Sequence, residues 1–129
     1  LRLGQKVCDM TFYTNKFIPS GSAGCARGPC IFIRPDHRGD AGLLAHEQVH
    51  VSQWWRTLGL HSLLYLVSKR YRLRAEVEAY RKQLEYPHST YSQDQLRELY
   101  AGWLSAPGWV EGYDLQDICT KEQAFAYLS

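Results

Sequence analysis

Residues 40–58 read DAGLLAHEQVHVSQWWRTL, and the pattern of this stretch is the most informative one for predicting the fold. Asp40 is a good N-cap, because its side chain can accept a hydrogen bond from a free amide of the first helical turn. Four apolar residues then fall within about 60° on a helical wheel. They are Leu44, Val51, Trp55 and Leu58. We therefore predict a helix over about 41–58 that packs into a core through this stripe and stops at Gly59.

The segments on either side of this helix differ in character. Residues 7–13 and 30–33 are β-prone, and residues 19–24 form a turn-rich loop. Downstream, the pattern predicts helix from about 61 to 85 with a break near 68. Ser92 and Thr120 then cap two shorter helices. The expected fold class is α+β: a small N-terminal antiparallel sheet or hairpin, followed by a mostly helical region, in one domain over residues 1–129.

Composition excludes several classes of protein. The chain has 129 residues, of which 45% are hydrophobic and 22% charged, so a packed core is expected and disorder is not. The longest apolar run, from Leu58 to Val67, is far shorter than the roughly 20 residues that cross a bilayer. No stretch has the plan of a secretory signal peptide. We expect no membrane span.

Charge is distributed unevenly along the chain. The net charge is +2, but residues 1–84 carry 13 Lys/Arg and 6 Asp/Glu, whereas residues 85–129 carry 2 and 7. The basic excess is densest at six positions: Lys69, Arg70, Arg72, Arg74, Arg81 and Lys82. No nucleic-acid reading motif accompanies them, so we interpret them as the solvated face of a helix rather than as a nucleic-acid interface.

Four cysteines are present: Cys8, Cys25, Cys30 and Cys119. The spacing of Cys25 and Cys30 suits a small loop closed by a disulfide, and Cys8 would then pair with Cys119. The even count favours an oxidising compartment, that is, a secreted or periplasmic protein. Free thiols in a reducing compartment are the alternative.

The motif that indicates chemistry is His46–Glu47–Gln48–Val49–His50, an HExxH pattern. Residues four apart lie on one face of a helix, so both imidazoles can converge on one metal ion, for which Zn²⁺ is the expected choice. Glu47 sits beside the metal without ligating it and can act as general base toward a zinc-activated water.

A third protein ligand has to come from outside this motif. His37, His61 and His88 are available, but none has the spacing of a local zinc motif. A carboxylate from a second helix is the better candidate, and residues 74–80 offer Glu76 and Glu78. On the helical wheel Glu76 flanks the buried face, whereas Glu78 lies among the basic residues. We therefore predict His46, His50 and Glu76 as the metal ligands, with Glu78 in solvent paired to Arg74 or Lys82.

HExxH followed by Glu76 in an E-x-x-A-Y setting resembles the gluzincin zinc metallopeptidases, over residues 40–85. The resemblance implies hydrolysis of a peptide bond in a peptide or protein substrate. It also implies an active-site helix, a glutamate helix and a sheet whose edge strand, here Cys30–Ile33, lies along the cleft and can hold an extended peptide. The chain departs from the family in having Val77 where many members carry Asn after the ligand Glu. It also lacks most of their substrate-binding subdomain.

Two questions stay open at the level of sequence. The oxyanion donor could be any of four tyrosines near or beyond the glutamate helix, namely Tyr71, Tyr80, Tyr91 and Tyr100. The alternative to an enzyme is a non-catalytic, zinc-stabilised protein- or nucleic-acid-binding module. Glu47 argues against that alternative, because a purely structural site has no need of a carboxylate there.

Overall fold

The computed structural model describes residues 10–129, so Val7 and Cys8 lie outside the described residues. Its elements are β1 (Thr11–Tyr13), β2 (Gly24–Arg27), β3 (Cys30–Ile33), α1 (Ala41–Arg56), α2 (His61–Val67), α3 (Lys69–Gln83), α4 (Gln93–Ser105) and α5 (Lys121–Leu128). The predicted α+β class is therefore confirmed: a small N-terminal sheet precedes five helices.

The sheet is mixed rather than purely antiparallel. Its strand order is β1-β3-β2, with β2 antiparallel to β3 and β1 parallel to it. A parallel pair needs a crossover connection, which residues 14–29 supply. Two predictions are wrong as a result. The sheet is not antiparallel throughout, and Cys30–Ile33 is its central strand, whereas Gly24–Arg27 lies at an edge.

The expected disulfide between Cys25 and Cys30 does not form, and both are free thiols. The register explains why, because Cys25 lies opposite Phe32 and Cys30 opposite Arg27, so the two thiols are not cross-strand neighbours. Cys119 is buried, and its expected partner lies outside the described residues.

Helix boundaries follow the predicted caps closely. Asp40 Oδ1 accepts a hydrogen bond from the Leu43 amide at 3.0 Å, and α1 ends at Arg56. Ser68 caps α3 and produces the predicted break after α2. Capping boxes begin α4 at Ser92 and α5 at Thr120, as their sequences predict.

Two cores hold these elements together. The larger one joins α3, α4, α5 and the segment before α5, and it includes Tyr80, Leu104 and Leu115. The smaller one joins β3 to α1 through Ile31, Ile33 and Val51. Helix α1 therefore lies between the sheet and α3. At Gly42 a Cβ would come within 3.3 Å of Gln83 Cγ, so glycine permits the close approach of α1 to the end of α3.

The predicted apolar stripe of α1 is only partly buried. Val51 is fully buried, but Trp55 is 43% exposed and Leu58 is 91% exposed. The helix ends at Arg56, and Leu58 follows in a left-handed conformation with φ of 53°. A helical wheel therefore does not give the direction of the Leu58 side chain.

The basic run of α3 is not one solvated face. Arg72 is only 2% exposed. Its guanidinium donates to the carbonyls of Tyr65 at 2.6 Å and Tyr113 at 2.9 Å and lies 4.4 Å from the centre of the Trp109 ring. Lys69 is paired with Asp117 at 2.9 Å. The interpretation of these positions as a single exposed basic surface is therefore wrong.

No helix among residues 10–129 is both long and apolar enough to cross a membrane.

The burial of side chains in the larger core predicts which of two leucine substitutions in α4 lowers the free energy of unfolding more. Leu104→Ala removes a fully buried side chain and should lower the free energy of unfolding by about 2–5 kcal/mol, through lost transfer energy and the cavity left behind. Leu99→Ala, on the same helix but 39% exposed, should cost no more than about 1 kcal/mol. Denaturant unfolding of both variants measures this difference, and equal losses would contradict the assignment of the core.

Candidate metal centre

Helix α1 presents its HExxH motif on a buried face. His46 and His50 lie one helical turn apart, with ring centroids 4.9 Å apart and their Nε2 atoms separated by 3.2 Å. Both imidazoles and the Glu47 side chain are buried. The i, i+4 spacing thus brings two nitrogen ligands together, as the sequence predicts.

Helix α3 adds a carboxylate to the two imidazoles. Glu76 Oε1 lies 3.3 Å from His46 Nε2 and 3.3 Å from His50 Nε2, and Glu76 is only 3% exposed. These three atoms form a triangle that is nearly equilateral. Glu47 also offers an oxygen within 4.8 Å of the histidine ligand atoms, and the group of His46, Glu47 and His50 could itself hold a cation.

The triangle has the size that a tetrahedral metal site requires. With metal–nitrogen and metal–oxygen bonds of about 2.0–2.1 Å, neighbouring ligand atoms lie about 3.3–3.4 Å apart. The observed separations are 3.2, 3.3 and 3.3 Å. Glu76 Oε1 is buried and makes no regular hydrogen bond within residues 10–129. His46, His50 and Glu76 are therefore arranged as three ligands that could hold one cation.

The ionisable groups of the site change one another's pKa values. Burial favours the neutral form of Glu76, but the adjacent His50 and His46 hold the pKa of Glu76 well below its usual range. Burial lowers the pKa of His50, but the negative charge of Glu76 raises this pKa to about 9. Burial raises the pKa of Glu47, which the two histidines partly offset. Glu76 is thus the negative centre around which the imidazoles are arranged.

Gln53 orients the second histidine from one turn further along α1. Its Oε1 lies 2.9 Å from His50 Nδ1, and its Nε2 donates to the Ala75 carbonyl at 3.0 Å. An amide oxygen only accepts, so His50 Nδ1 carries a proton and Nε2 is the atom that faces Glu76. The sequence did not lead us to Gln53, although a polar side chain three residues after the candidate ligand His50 could have indicated it.

Tyr65 orients the carboxylate from helix α2. Its hydroxyl donates a short hydrogen bond to Glu76 Oε2, so the two oxygens of Glu76 have separate roles. No local pattern marks Tyr65, because its helix is linked to the site only by tertiary packing. This residue was also missed.

Glu78 lies where the helical wheel predicts, outside the site, but its partners differ from those predicted. It accepts from Arg56 at 2.9 Å and from Gln53 at 3.0 Å, not from Arg74 or Lys82. These partners belong to α1, which packs alongside α3 and provides them across the helix interface. Glu78 therefore links α3 to α1 by hydrogen bonds at the surface of the protein.

The three remaining histidines considered as ligands lie elsewhere. His61 stacks near His50 with centroids 5.8 Å apart, but its Nδ1 lies 2.7 Å from the Tyr71 hydroxyl. Burial and the charge of His50 lower the pKa of His61 to about 4. His37 and His88 are exposed.

A cleft of about 770 Å³ opens onto the motif, with His46, Glu47 and Tyr80 at its base. Residues 19–24, which lead into the edge strand β2, form one wall, and aromatic residues of α4 form another. Arg34 stabilises the segment of residues 19–24, because its Nε donates a hydrogen bond to the Ser22 carbonyl at 2.6 Å. The cleft gives an extended ligand access to Glu47.

Four tyrosines were candidate oxyanion donors, and three of them line this cleft: Tyr80, Tyr91 and Tyr100. Tyr71 instead hydrogen-bonds His61. Sequence reasoning missed Tyr113, which also lines the cleft and whose hydroxyl lies 2.5 Å from that of Tyr80. The two phenols at the base of the cleft form one hydrogen-bonded pair.

A larger cavity of about 1070 Å³ lies along the opposite side of α3, between Arg74 and Tyr127. None of the metal-site side chains lines it. The smaller cleft reaches the candidate site through His46 and Glu47, whereas His50 and Glu76 line neither cavity.

Comparison of the chain with protein-family models, with curated proteins and with solved structures finds no match in any of the three.

The hydrogen bond from Tyr65 predicts a measurable loss of stability. Tyr65→Phe leaves the buried Glu76 carboxylate without its hydroxyl donor and should lower the free energy of unfolding by about 1.5–3 kcal/mol. Tyr127→Phe, at a position 45% exposed, removes the same atom and should change it by less than about 0.5 kcal/mol. Denaturant unfolding in the presence of a chelator makes the comparison. A loss no larger than that of the control would mean that Tyr65 does not support Glu76.

Proposed function

We propose that the protein is a zinc-dependent metalloendopeptidase that hydrolyses peptide bonds. The observation that carries the proposal is the triangle of His46 Nε2, His50 Nε2 and Glu76 Oε1, with sides of 3.2 and 3.3 Å, of which His46 lines a cleft together with Glu47. Two imidazoles and one carboxylate form a donor set of catalytic zinc sites, in which a fourth position is left to water or substrate.

Glu47 is the residue assigned to proton transfer. When bound, zinc supplies Lewis-acid polarisation of a carbonyl and lowers the pKa of a coordinated water. Glu47 takes a proton from the attacking water and delivers it to the leaving amine. Its position supports this role, because its carboxylate lines the cleft directly beside His46.

Two further features support a peptide as substrate. The edge strand β2 pairs only with β3 among the described strands, and the residues leading into it line the cleft with Glu47. An extended peptide can add to such an edge through main-chain hydrogen bonds. Tyr80 and Tyr113 also line the cleft, and the hydroxyl that accepts the hydrogen bond within this pair keeps its own proton available for a developing oxyanion.

Metal content is the first test of this proposal. The wild-type protein supplied with zinc should contain about one zinc per chain by elemental mass spectrometry, and His50→Ala should lose it. Glu76→Ala should weaken zinc affinity at least about 100-fold, because a ligand is lost. Glu78→Ala is the matched control and should weaken it less than about tenfold, since Glu78 acts only through Gln53. Equal losses, or the reverse order, would remove Glu76 from the ligand set.

Hydrolysis is the second test. Glu47→Gln should retain zinc but lose cleavage of casein or fluorogenic peptides by about 10²–10⁴-fold or more, because the amide cannot accept the proton. Glu78→Gln, one exposed carboxylate changed in the same way, should retain activity. Undiminished turnover in Glu47→Gln would eliminate Glu47 as the base.

The same measurements address the alternative of a non-catalytic, zinc-stabilised binding module. That module would bind zinc, lose stability with a chelator and cleave none of the substrates. Glu47→Gln would then change neither zinc content nor any activity.

A further inference from the structure

Helix α2 turns its aliphatic side chains away from the protein. It has no buried residue and contains no charged residue. Positions Leu63, Leu66 and Val67 share one face by their i, i+3, i+4 spacing, and they are 58%, 68% and 70% exposed. A surface helix normally has the opposite arrangement, with its apolar stripe toward the core.

The inward face of α2 is occupied by polar contacts with the site. His61 and Tyr65, four residues apart, hydrogen-bond Tyr71 and Glu76 respectively. Arg72 additionally donates to the carbonyl of Tyr65 at 2.6 Å. These contacts determine the rotation of the helix, so the leucines remain outside.

The turn before α2 adds to the exposed surface. Leu58 is 91% exposed and has a φ of 53°, a left-handed conformation that is unfavourable for leucine. Leu60 and Trp55 are also exposed. A strained, exposed leucine next to an outward aliphatic helix is costly in water, which indicates that this surface is covered in function.

We propose that this surface docks onto an anionic lipid bilayer. We call it the apolar face of α2, and it comprises Leu58, Leu60, Leu63, Leu66 and Val67. An interfacial element of this kind inserts aliphatic side chains to the level of the acyl boundary, with tryptophan and basic residues at the headgroups.

The charge around the apolar face is complementary to anionic headgroups. From residue 48 to residue 75 the chain has no Asp or Glu and five Arg or Lys. Arg56 and Lys69 flank α2 on its two sides and engage Glu78 and Asp117 in exposed ion pairs, which are weak. Arg70 is exposed three residues after Val67 and forms none of the ion pairs found within residues 10–129.

The shape of the apolar face favours lipid over a folded partner. Its leucines are 57–91% exposed and line neither the cleft nor the larger cavity described above, so neither of these provides a groove for a partner's side chains here. A fluid bilayer can close around such exposed side chains. Arg72 contacts both the Leu66 carbonyl and the ring of Trp109, and Trp109 lines the cleft. Docking would therefore bring one wall of the cleft next to the bilayer.

Vesicle binding tests the proposal without reference to metal or catalysis. The full chain should co-sediment with phosphatidylcholine vesicles containing about 30% phosphatidylserine, with a blue shift of tryptophan emission, and bind pure phosphatidylcholine more weakly. Leu63→Ser/Leu66→Ser should lower the partition coefficient at least about tenfold. Ile118→Ser/Tyr127→Ser, which removes two similarly exposed apolar residues near α5, should leave it unchanged.

A second pair of variants isolates the charge. Arg70→Gln should weaken binding to the anionic vesicles about fivefold, whereas Arg81→Gln, an exposed arginine at the other end of α3, should have little effect. Circular dichroism verifies that each variant is folded. The proposal is overturned if the wild type does not bind anionic vesicles at low salt, or if the leucine variant binds as well as the wild type. Self-association abolished by Leu63→Ser/Leu66→Ser, without vesicle binding, would likewise overturn it and identify a dimer interface.

Discussion

The structure depends on one buried carboxylate held between two imidazoles. Glu76 carries a charge at 3% exposure, and such a charge is tolerated only when it is paired and hydrogen-bonded. His46, His50 and Tyr65 provide those partners from two other helices. The need to pair this carboxylate determines how α1 lies along α3 and how α2 is rotated about its axis. Gly42 permits the close approach of α1 to the end of α3 that this pairing uses.

The same requirement explains the unusual orientation of α2. Tyr65 hydrogen-bonds Glu76 and His61 hydrogen-bonds Tyr71 of α3, so Leu63, Leu66 and Val67 face outward. Arg72 then secures the end of this helix and the segment containing Tyr113 to α3. The candidate site and the exposed apolar face are thus two sides of one short helix, and the arrangement of either constrains the other.

Much of the site could be predicted because its signals are local. The i, i+4 spacing of His46 and His50 and the caps at Asp40, Ser92 and Thr120 depend only on residues within one or two turns. The wheel of α3 correctly separated Glu76 from Glu78 in burial. Several of the wrong predictions needed distant partners, although the exposure of Leu58 has a local cause in the earlier end of α1. Arg56 reaches Glu78 across 22 positions, and strand register, which local spacing does not reveal, separates Cys25 from Cys30.

The sequence alone was enough for the α+β class, for the capped helix starts, for two imidazoles on one turn of α1 and for the choice of Glu76 over Glu78, because hydrogen-bond caps and helical periodicity act over a few residues. Tertiary packing determines the separations within the triangle, the contacts of Gln53 and Tyr65 with it, the central place of β3 and the outward direction of Leu63 and Leu66. Those outcomes depend on which buried polar groups find partners when the helices pack, and a linear pattern does not contain that information.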